Sequence, residues 1–230
     1  MNSTDTAGET TPAPKRKGKK GIVIGIVVAV IVVVGIGFWA WHNTPGFCNA
    51  FCHSPMDPYL QTYEAQSGTP ATDKYGHDVS NGSAMLAVTH REANVGCLGC
   101  HVPTTSQQIA EVQEAITGDY YDPIPEKTIK TLMENSDQAS TDEATFCLKS
   151  GCHADESGTE ITSHEQLEQA TANLAFNPHD THHGAIDCSN CHKSHRASVM
   201  YCTQCHSEAA ASMPDGWVDY TTGQKLGQAA

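Results

Sequence analysis

The stretch Cys97-Leu-Gly-Cys100-His101 places two cysteines and a histidine at the spacing that attaches c-type haem. Both thiols bond to the porphyrin, and the adjacent histidine supplies an axial nitrogen to the iron. Four further cysteine pairs, each followed directly by a histidine, use every other cysteine of the chain. They are Cys48-Asn-Ala-Phe-Cys52-His53, Cys147-Leu-Lys-Ser-Gly-Cys152-His153, Cys188-Ser-Asn-Cys191-His192 and Cys202-Thr-Gln-Cys205-His206. The sequence therefore predicts five covalently bound haem c groups.

Ten cysteines are also compatible with structural zinc or with five disulfides. Zinc sites combine two cysteine pairs, or one pair with spaced histidines, and disulfides need no histidine at all. Neither alternative explains a histidine after every second cysteine, so haem attachment is favoured. The gap between the cysteines is three residues in the first motif and four in the third. A longer loop still brings both sulfurs to one porphyrin.

An uncharged apolar segment, residues 21–41, precedes the first motif. At about 1.5 Å per residue it crosses the roughly 30 Å hydrocarbon core of a bilayer. Five basic residues lie before it, and no Lys or Arg follows until Lys74. The positive-inside rule predicts a single-pass protein of the cytoplasmic membrane, with the N-terminus inside and the haem domain on the periplasmic or extracellular side. A cleaved signal peptide is the alternative, but Trp39-Ala-Trp41-His42-Asn43 is a poor cleavage site.

The chain after this segment is strongly acidic. Of 26 acidic residues only Asp5 and Glu9 precede the anchor, and of 13 basic residues five precede it. The remainder carries 24 acidic and eight basic residues, a net charge of −16. This balance argues against nucleic acid or an anionic lipid surface as a partner. It indicates either a docking face for a partner with a basic patch or a solubilising surface.

About 190 residues outside the membrane serve the predicted haems, which is too little protein for an ordinary apolar core. We expect a mainly α-helical and irregular fold, with one N-terminal transmembrane helix and a compact multihaem ectodomain whose core is the haems. Pro123 and Pro125 separate the first two motifs from the last three. The predicted organisation is a cytoplasmic tail (1–20), the anchor (21–41), a two-haem region (42–122), a three-haem region (123–210) and a C-terminal tail (211–230).

Two stretches have helical periodicity. Residues 105–117 carry Ile109, Val112 and Ile116 at helical spacing, and residues 163–174 begin at a serine followed three residues on by Gln166. A serine at the N-cap with Gln at this position is typical of a capping box. The sequence therefore predicts helices over both ranges, and no stretch is long and alternating enough to predict a sheet.

Each haem iron also needs a ligand on its second side. Eight histidines lie outside the five motifs, and a second histidine would close each iron to substrates and suit it to electron transfer. The favoured second ligands are His179, His182, His195 and His90. The roles of the remaining histidines stay open, with His42 favoured as a membrane-interface residue; they are His42, His77, His164 and His183.

The first motif is followed by Ser54-Pro55-Met56. Met56 is a candidate iron ligand, which would raise the haem potential relative to two histidines; alternatively it packs against the porphyrin. The first motif begins seven residues beyond Trp41. A lipid-soluble quinol could therefore deliver electrons to this haem.

Several fragments together resemble a known family. The anchor, the first motif with its nearby Met56, and His90-Arg-Glu-Ala-Asn-Val-Gly-Cys97-Leu-Gly-Cys100-His101-Val-Pro103 resemble the NapC/NirT/NrfH family of membrane-anchored multihaem quinol dehydrogenases. The part from Asn177-Pro178-His179 to Cys205-His206 is similar to the haem domains of flavocytochrome c fumarate reductases and small tetrahaem cytochromes. The family usually has four haems with two-residue gaps and its methionine two places after the histidine, so this chain departs in all three respects.

The resemblance implies menaquinol oxidation at the first haem and electron transfer to an extracytoplasmic, flavoprotein-type reductase. It makes His90 a haem ligand or a quinol-site residue and Met56 a ligand of the first haem. Two alternatives remain: a relay between redox proteins without quinol oxidation, and a terminal haem reductase of a small nitrogen compound. Whether the protein is an enzyme in its own right, its terminal acceptor and its oligomeric state stay open at this stage.

Overall fold

The computed structural model describes residues 19–52, 55–120, 125–134, 136, 138, 141–180, 182–184 and 186–227. The N-terminal tail, His53 and Pro123 therefore lie outside the described residues. The chain divides into two units, one ending at His42 and the other beginning at Asn43. The helices are α1 Lys19–His42, α2 Pro45–Cys52, α3 Asp57–Glu64, α4 Leu86–Glu92, α5 Thr105–Thr117, α6 Ile129–Glu134, α7 Glu143–Cys147, α8 His164–Ala170, α9 Cys188–Cys191 and α10 Tyr220–Leu226.

The first unit is represented by helix α1 alone. Its 24 residues have a mean hydropathy of 3.0 over the most apolar window, and none is buried. At about 1.5 Å per residue, a helix of this length reaches across a bilayer core. Among the described residues it is the one helix long and apolar enough to do so.

The second unit is mostly helical and irregular, as the sequence predicts. Its strands are two residues long and form two separate pairs. One pair is antiparallel and the other parallel: β1 Ala71–Thr72 with β2 Asp78–Val79, and β3 Val199–Met200 with β4 Val218–Asp219. The buried apolar cluster is small; it comprises Val79, Ala84, Met85, Val88 and Ala197. Protein side chains alone thus supply little core.

Helix α5 has the bounds that the sequence predicts. Thr104 caps it: the Gln107 backbone N–H donates to the Thr104 hydroxyl, and the Gln107 side-chain oxygen accepts from the Thr104 backbone N–H. The helix ends at Gly118, whose φ of 72° is a conformation that glycine adopts without strain. Both ends are therefore determined by local sequence.

Helix α8 is shorter than predicted. Its capping by Ser163 is confirmed, with the Gln166 backbone N–H donating to the serine hydroxyl at 3.3 Å. The helix nevertheless ends at Ala170, because the Asn177 side chain donates to the Glu168 carbonyl at 3.1 Å. A side chain from beyond the helix thus satisfies a terminal carbonyl that another turn would have used.

The segment between the fourth and fifth motifs is held along the start of α4 by backbone hydrogen bonds. The Leu86 N–H donates to the Lys193 carbonyl at 2.9 Å, and the Ser198 N–H donates to the Ala84 carbonyl at 3.0 Å. Residues from the two-haem and three-haem regions thus pack together. The segment in between carries His195, whose position is fixed from both sides.

A buried ion pair fixes the same segment from the outside. The Arg196 side chain is 4% exposed and binds both carboxylate oxygens of Glu126, at 2.8 and 3.0 Å. A two-pronged contact of this kind sets the orientation of both side chains. Arg196 directly follows His195, so the pair also holds the histidine in place.

Candidate haem centres

Three motifs have the two-residue gap, and their histidines are positioned in the same way. In each, the histidine backbone N–H donates at 2.9 Å to the carbonyl of the first cysteine: His101 to Cys97, His192 to Cys188, and His206 to Cys202. One tight turn thus presents both cysteines and the histidine together. This is the arrangement that attachment of one porphyrin requires.

The two motifs with longer gaps are built differently. Cys147 ends helix α7, and a turn with Gly151 at a φ of 83° leads to Cys152 and His153. Glycine accommodates this left-handed conformation, and the Cys152 N–H closes the turn by donating to the Lys149 carbonyl at 3.2 Å. In the first motif Cys48 lies in helix α2, whereas His53 lies outside the described residues.

Each motif histidine of the second to fifth motifs faces a second histidine. The ring centres are 6.5 Å apart for His101 and His195 and 6.2 Å apart for His153 and His90. They are 6.4 Å apart for His192 and His179, whose rings are parallel to within 3°. For His206 and His183 the separation is 5.9 Å.

These separations fit one iron between two imidazoles. A metal–imidazole bond is about 2 Å and the nitrogen lies about 1.1 Å from the ring centre, so two rings on opposite sides of one iron are separated by about 6 Å. All four observed distances lie within about half an ångström of this value. The residues present therefore fit a haem with histidine on both faces.

Hydrogen bonds orient two of the second histidines through their Nδ1 atoms. The Thr62 hydroxyl donates to the Tyr59 carbonyl at 2.8 Å, so its lone pair accepts from Nδ1 of His195 at 2.7 Å. Nδ1 of His90 donates to the Leu86 carbonyl at 2.9 Å, because a carbonyl can only accept. In both rings the proton sits on Nδ1, and the Nε2 lone pair is available to a metal.

His179 is held in the same way. The Thr171 hydroxyl donates to the Leu167 carbonyl at 2.8 Å, and Nδ1 of His179 donates to that hydroxyl at 3.1 Å. In the fifth motif it is the motif histidine that is oriented: Nδ1 of His206 donates to the Glu208 carboxylate at 3.4 Å. These contacts again leave Nε2 as the coordinating nitrogen.

Burial favours the neutral form of five of the facing rings, which is the form that binds a metal. Desolvation, reinforced by neighbouring histidines, lowers the pKa of His195 to about 3 and that of His192 to about 4. Desolvation likewise lowers the pKa values of His101, His153 and His179. In these five rings protonation does not compete with metal binding near neutral pH.

The remaining histidines lie elsewhere. The structure brings His183, rather than His182, to a motif histidine; the His182 side chain is 79% exposed and bonds to Asp180. Nδ1 of His77 binds the buried Asp73 carboxylate at 3.2 Å, and His42 contacts Phe38 within α1. His164 begins helix α8. Met56 precedes helix α3, but the structure does not describe the histidine of its motif.

The sequence pointed to a second histidine near residue 182 but not to the threonines that orient second histidines. The sequence favoured His182 and left His183 open, whereas the ring that lies beside His206 in the structure is that of His183. The hydroxyl groups of Thr62 and Thr171 that orient second histidines had no sequence signal. Threonine is common in helices and carries no motif of its own.

Comparison with known protein families identifies the family of this chain. The model described as Cytochrome c3 matches residues 89–207, a range that contains His90 and the second to fifth motifs. This chain belongs to the cytochrome c3 family. Cytochromes of this kind bind haem c covalently through cysteine-pair motifs. The protein is accordingly a multihaem c-type cytochrome of electron transfer.

Two known proteins are similar in sequence to this chain. The cytochrome c-type protein Cgr1 of Eggerthella lenta is 47% identical over 219 residues, which cover 95% of each chain. The probable fumarate reductase Ifc3 of Shewanella frigidimarina is 39% identical over 64 residues, which cover 23% of this chain and 11% of that protein. No solved structure matches. This cytochrome thus has a full-length relative and a partial similarity to a larger reductase.

Proposed function

We propose that this cytochrome c3 family member is a membrane-anchored pentahaem protein that oxidises menaquinol and passes electrons to an extracytoplasmic reductase. Helix α1 is the anchor, with the N-terminus in the cytoplasm and the haem domain outside. The second to fifth haems are held by the four histidine pairs, and the first is held by Cys48, Cys52 and His53, with Met56 as its candidate second ligand.

The pairing of histidines on opposite sides of each iron position is the observation that carries this proposal. An iron with two imidazole ligands has no open position for a substrate, and its coordination changes little with its charge. These properties suit electron transfer. They do not suit a terminal reductase, which needs an open iron.

Quinol oxidation at the first haem is supported by where that motif sits in the chain. Helix α2, which carries Cys48, begins three residues after α1 ends at His42. The first haem is therefore attached close to the point where the chain leaves the membrane. The resemblance of this part of the sequence to the NapC/NirT/NrfH family supports the same assignment.

An exposed apolar surface beside the first motif supports it further. Helix α5 packs on α2 and carries Ile109 and Ile116, which are 65% and 80% exposed and lie within about 20° of arc on one side. A helix that turns apolar side chains outward beside this motif suits a protein held against lipid.

The acceptor in this proposal is a separate flavoprotein reductase with a basic docking patch. The net charge of −16 after the anchor would accelerate association with such a patch. The similarity to part of the probable fumarate reductase Ifc3 supports a reductase as the class of acceptor.

The test is anaerobic stopped-flow mixing of the fully haem-loaded protein in nanodiscs with a reduced menaquinol analogue. The haem α-band is followed with and without a quinol-site inhibitor. We expect inhibitor-sensitive reduction of several haems within seconds. Reduction by dithionite but not by quinol would contradict quinol oxidation and leave a relay supplied by another protein.

Met56→Ala tests the first haem in the same experiment, with Met213→Ala as the matched control. Met213 lies outside all five motifs, so its loss tests only the general effect of truncating a methionine. We expect slower quinol-dependent reduction for Met56→Ala alone. Equal rates in both variants would exclude Met56 from the first haem and its quinol site.

A further inference from the structure

The C-terminal segment, residues 214–226, lies outside the five motifs, yet it reaches a motif histidine. The ring centres of Trp217 and His192 lie 5.1 Å apart, and their planes meet at 85°. We propose that Trp217 is a positioning residue, which holds the His192 ring parallel to that of His179 and so sets the ligand orientation at the fourth haem. This inference rests on the pairing of these two histidines in the proposed function, but not on quinol oxidation.

The contact between the two rings limits the one freedom that His192 retains. Its backbone is already fixed, because its N–H donates to the Cys188 carbonyl at 2.9 Å. In the part of the chain that the structure describes, the His192 ring makes no hydrogen bond, so packing orients it. Rotation of such a ring about its bond to Cβ is otherwise loosely restricted. An indole in edge-to-face contact, a geometry that aromatic rings prefer, opposes this rotation.

The opposite ring of the fourth pair is held by hydrogen bonds instead. Nδ1 of His179 donates to the Thr171 hydroxyl at 3.1 Å, and its backbone N–H donates to the Asn177 side chain at 3.0 Å. With both rings restrained, their planes are parallel to within 3°. The planes of the other three pairs meet at 34°, 37° and 74°. The parallel arrangement thus belongs to the pair on which Trp217 packs.

A tight turn sets the position of Trp217. Its backbone N–H donates to the Pro214 carbonyl at 3.1 Å, and Gly216 between them has a φ of 84°. A type II turn requires this positive φ at its third residue, which favours glycine there. The residue that follows the turn is the indole, and its backbone direction is therefore determined by the turn.

Contacts on both sides anchor this turn to the rest of the haem domain. The Asn81 side-chain amide donates to the Asp215 carboxylate at 2.7 Å. A Cβ on residue 216 would lie 2.7 Å from the Asn81 carbonyl oxygen, so the two backbones approach as closely as glycine allows. On the other side of the indole, the Val218 N–H donates to the Ser198 carbonyl at 3.0 Å. Trp217 lies between these anchors, and its ring cannot drift away from His192.

Electron paramagnetic resonance of the fully oxidised protein reports the angle between the two ligand planes of a haem. Parallel imidazole planes give a rhombic low-spin signal, and the largest g value rises as the planes turn towards the perpendicular. His179→Ala opens the fourth iron and so identifies its signal. In Trp217→Leu we expect this signal to move to a higher largest g value, whereas Trp217→Phe, which retains a ring, should keep most of the original signal.

Tyr220→Leu is the matched control. Tyr220 belongs to the same segment, and its ring also makes an edge-to-face contact, but with Tyr201 at 5.3 Å and 87°. We expect its fourth-haem signal to equal that of the unchanged protein. An unmoved signal in Trp217→Leu would overturn the proposal. So would an equal shift in Tyr220→Leu, or a shift in Trp217→Phe as large as that in Trp217→Leu.

Gly216→Ala decides the matter if Trp217→Leu does not fold. This variant keeps the indole, but the added Cβ must move away from the Asn81 carbonyl oxygen and displaces the turn. Gly118→Ala is its control, because Gly118 also has a positive φ, 72°, but open space around it. We expect the fourth-haem signal to shift in Gly216→Ala alone; the same signal in both variants would overturn the proposal.

Near-infrared magnetic circular dichroism separates failure of this inference from failure of the proposed function. It counts the irons that have two histidine ligands. Fewer than four in the unchanged protein would contradict the histidine pairs themselves. Four such irons in both the unchanged protein and Trp217→Leu, with the same paramagnetic resonance signal, would overturn the role of Trp217 alone.

Discussion

Thr62→Val removes the acceptor that orients His195 and leaves nearly everything else in place. Thr62 is fully buried, and valine has almost the same shape. The change deletes one hydroxyl, which receives the Nδ1 proton of His195 at 2.7 Å. An acceptor at Nδ1 raises the basicity of the ring and thereby stabilises the ferric iron more than the ferrous one. Its loss should raise the potential of the second haem.

The size of this shift follows from the energy of one buried hydrogen bond. Such a bond contributes about 1 kcal/mol. If most of this energy is lost from the ferric state and little from the ferrous state, the potential rises by about 40 mV, since 59 mV corresponds to a tenfold change in the equilibrium constant for one electron. The shift should affect one haem and leave the others unchanged.

Spectroelectrochemical titration of the intact protein measures this shift, with Thr117→Val as the control. The Thr117 hydroxyl also donates to a helix carbonyl, that of Gln113, at 2.9 Å, and neither group contacts a histidine in the described hydrogen bonds. We expect an unchanged titration curve for the control. An unchanged curve for Thr62→Val as well, or a fall in potential, would refute the assignment of His195 as an iron ligand oriented by Thr62.

Three further predictions concern ligand choice and stability. His183→Ala should convert the fifth haem to a high-spin form that binds cyanide, whereas His182→Ala should not, because the His183 ring centre lies 5.9 Å from that of His206 while His182 bonds to Asp180. The reverse result would restore His182 as the ligand. Glu126→Ala leaves the buried Arg196 charge unpaired and should lower the free energy of unfolding, measured by denaturant titration, by about 3 kcal/mol. This value is at the low end for a broken buried ion pair because Glu126 is 27% exposed. A loss below about 1 kcal/mol would contradict a structural role for the pair. Burial alone would raise the pKa of Glu126, but Arg196, Lys193 and Lys74 hold this pKa below its ordinary value. The stabilisation that the ionised Glu126 contributes should therefore be complete above about pH 4.3 and disappear as the pH falls through the lower pKa of the folded state. A Glu126→Gln variant whose stability depends on acid in the same way as that of the unchanged protein would contradict this.

Local sequence was sufficient where spacing alone sets the geometry. In the motif of Cys97 and His101 two backbone hydrogen bonds to the Cys97 carbonyl close the turn, so the pattern of residues already implies the structure. Helix α5 was predictable to the residue because Thr104, Gln107 and Gly118 determine both ends. In both cases the deciding contacts lie within a few positions of each other.

Sequence was insufficient where the deciding contact joins residues that lie far apart in the chain, or where two neighbouring residues of the same type compete for one role. His195 faces His101 because backbone hydrogen bonds hold its segment along α4, and no local pattern encodes that pairing. The end of α8 depends on Asn177, which lies beyond the helix. The His183 ring lies beside His206 whereas His182 bonds to Asp180, and no local pattern distinguishes these two adjacent histidines.

Near-infrared magnetic circular dichroism of the fully oxidised protein tests the central claim most directly, because its charge-transfer bands distinguish irons with two histidines from those with histidine and methionine or with an open position. The account predicts four irons with two histidines per chain, from the pairs whose ring centres lie 5.9 to 6.5 Å apart. Fewer than four such irons, or two or more high-spin irons, would contradict it.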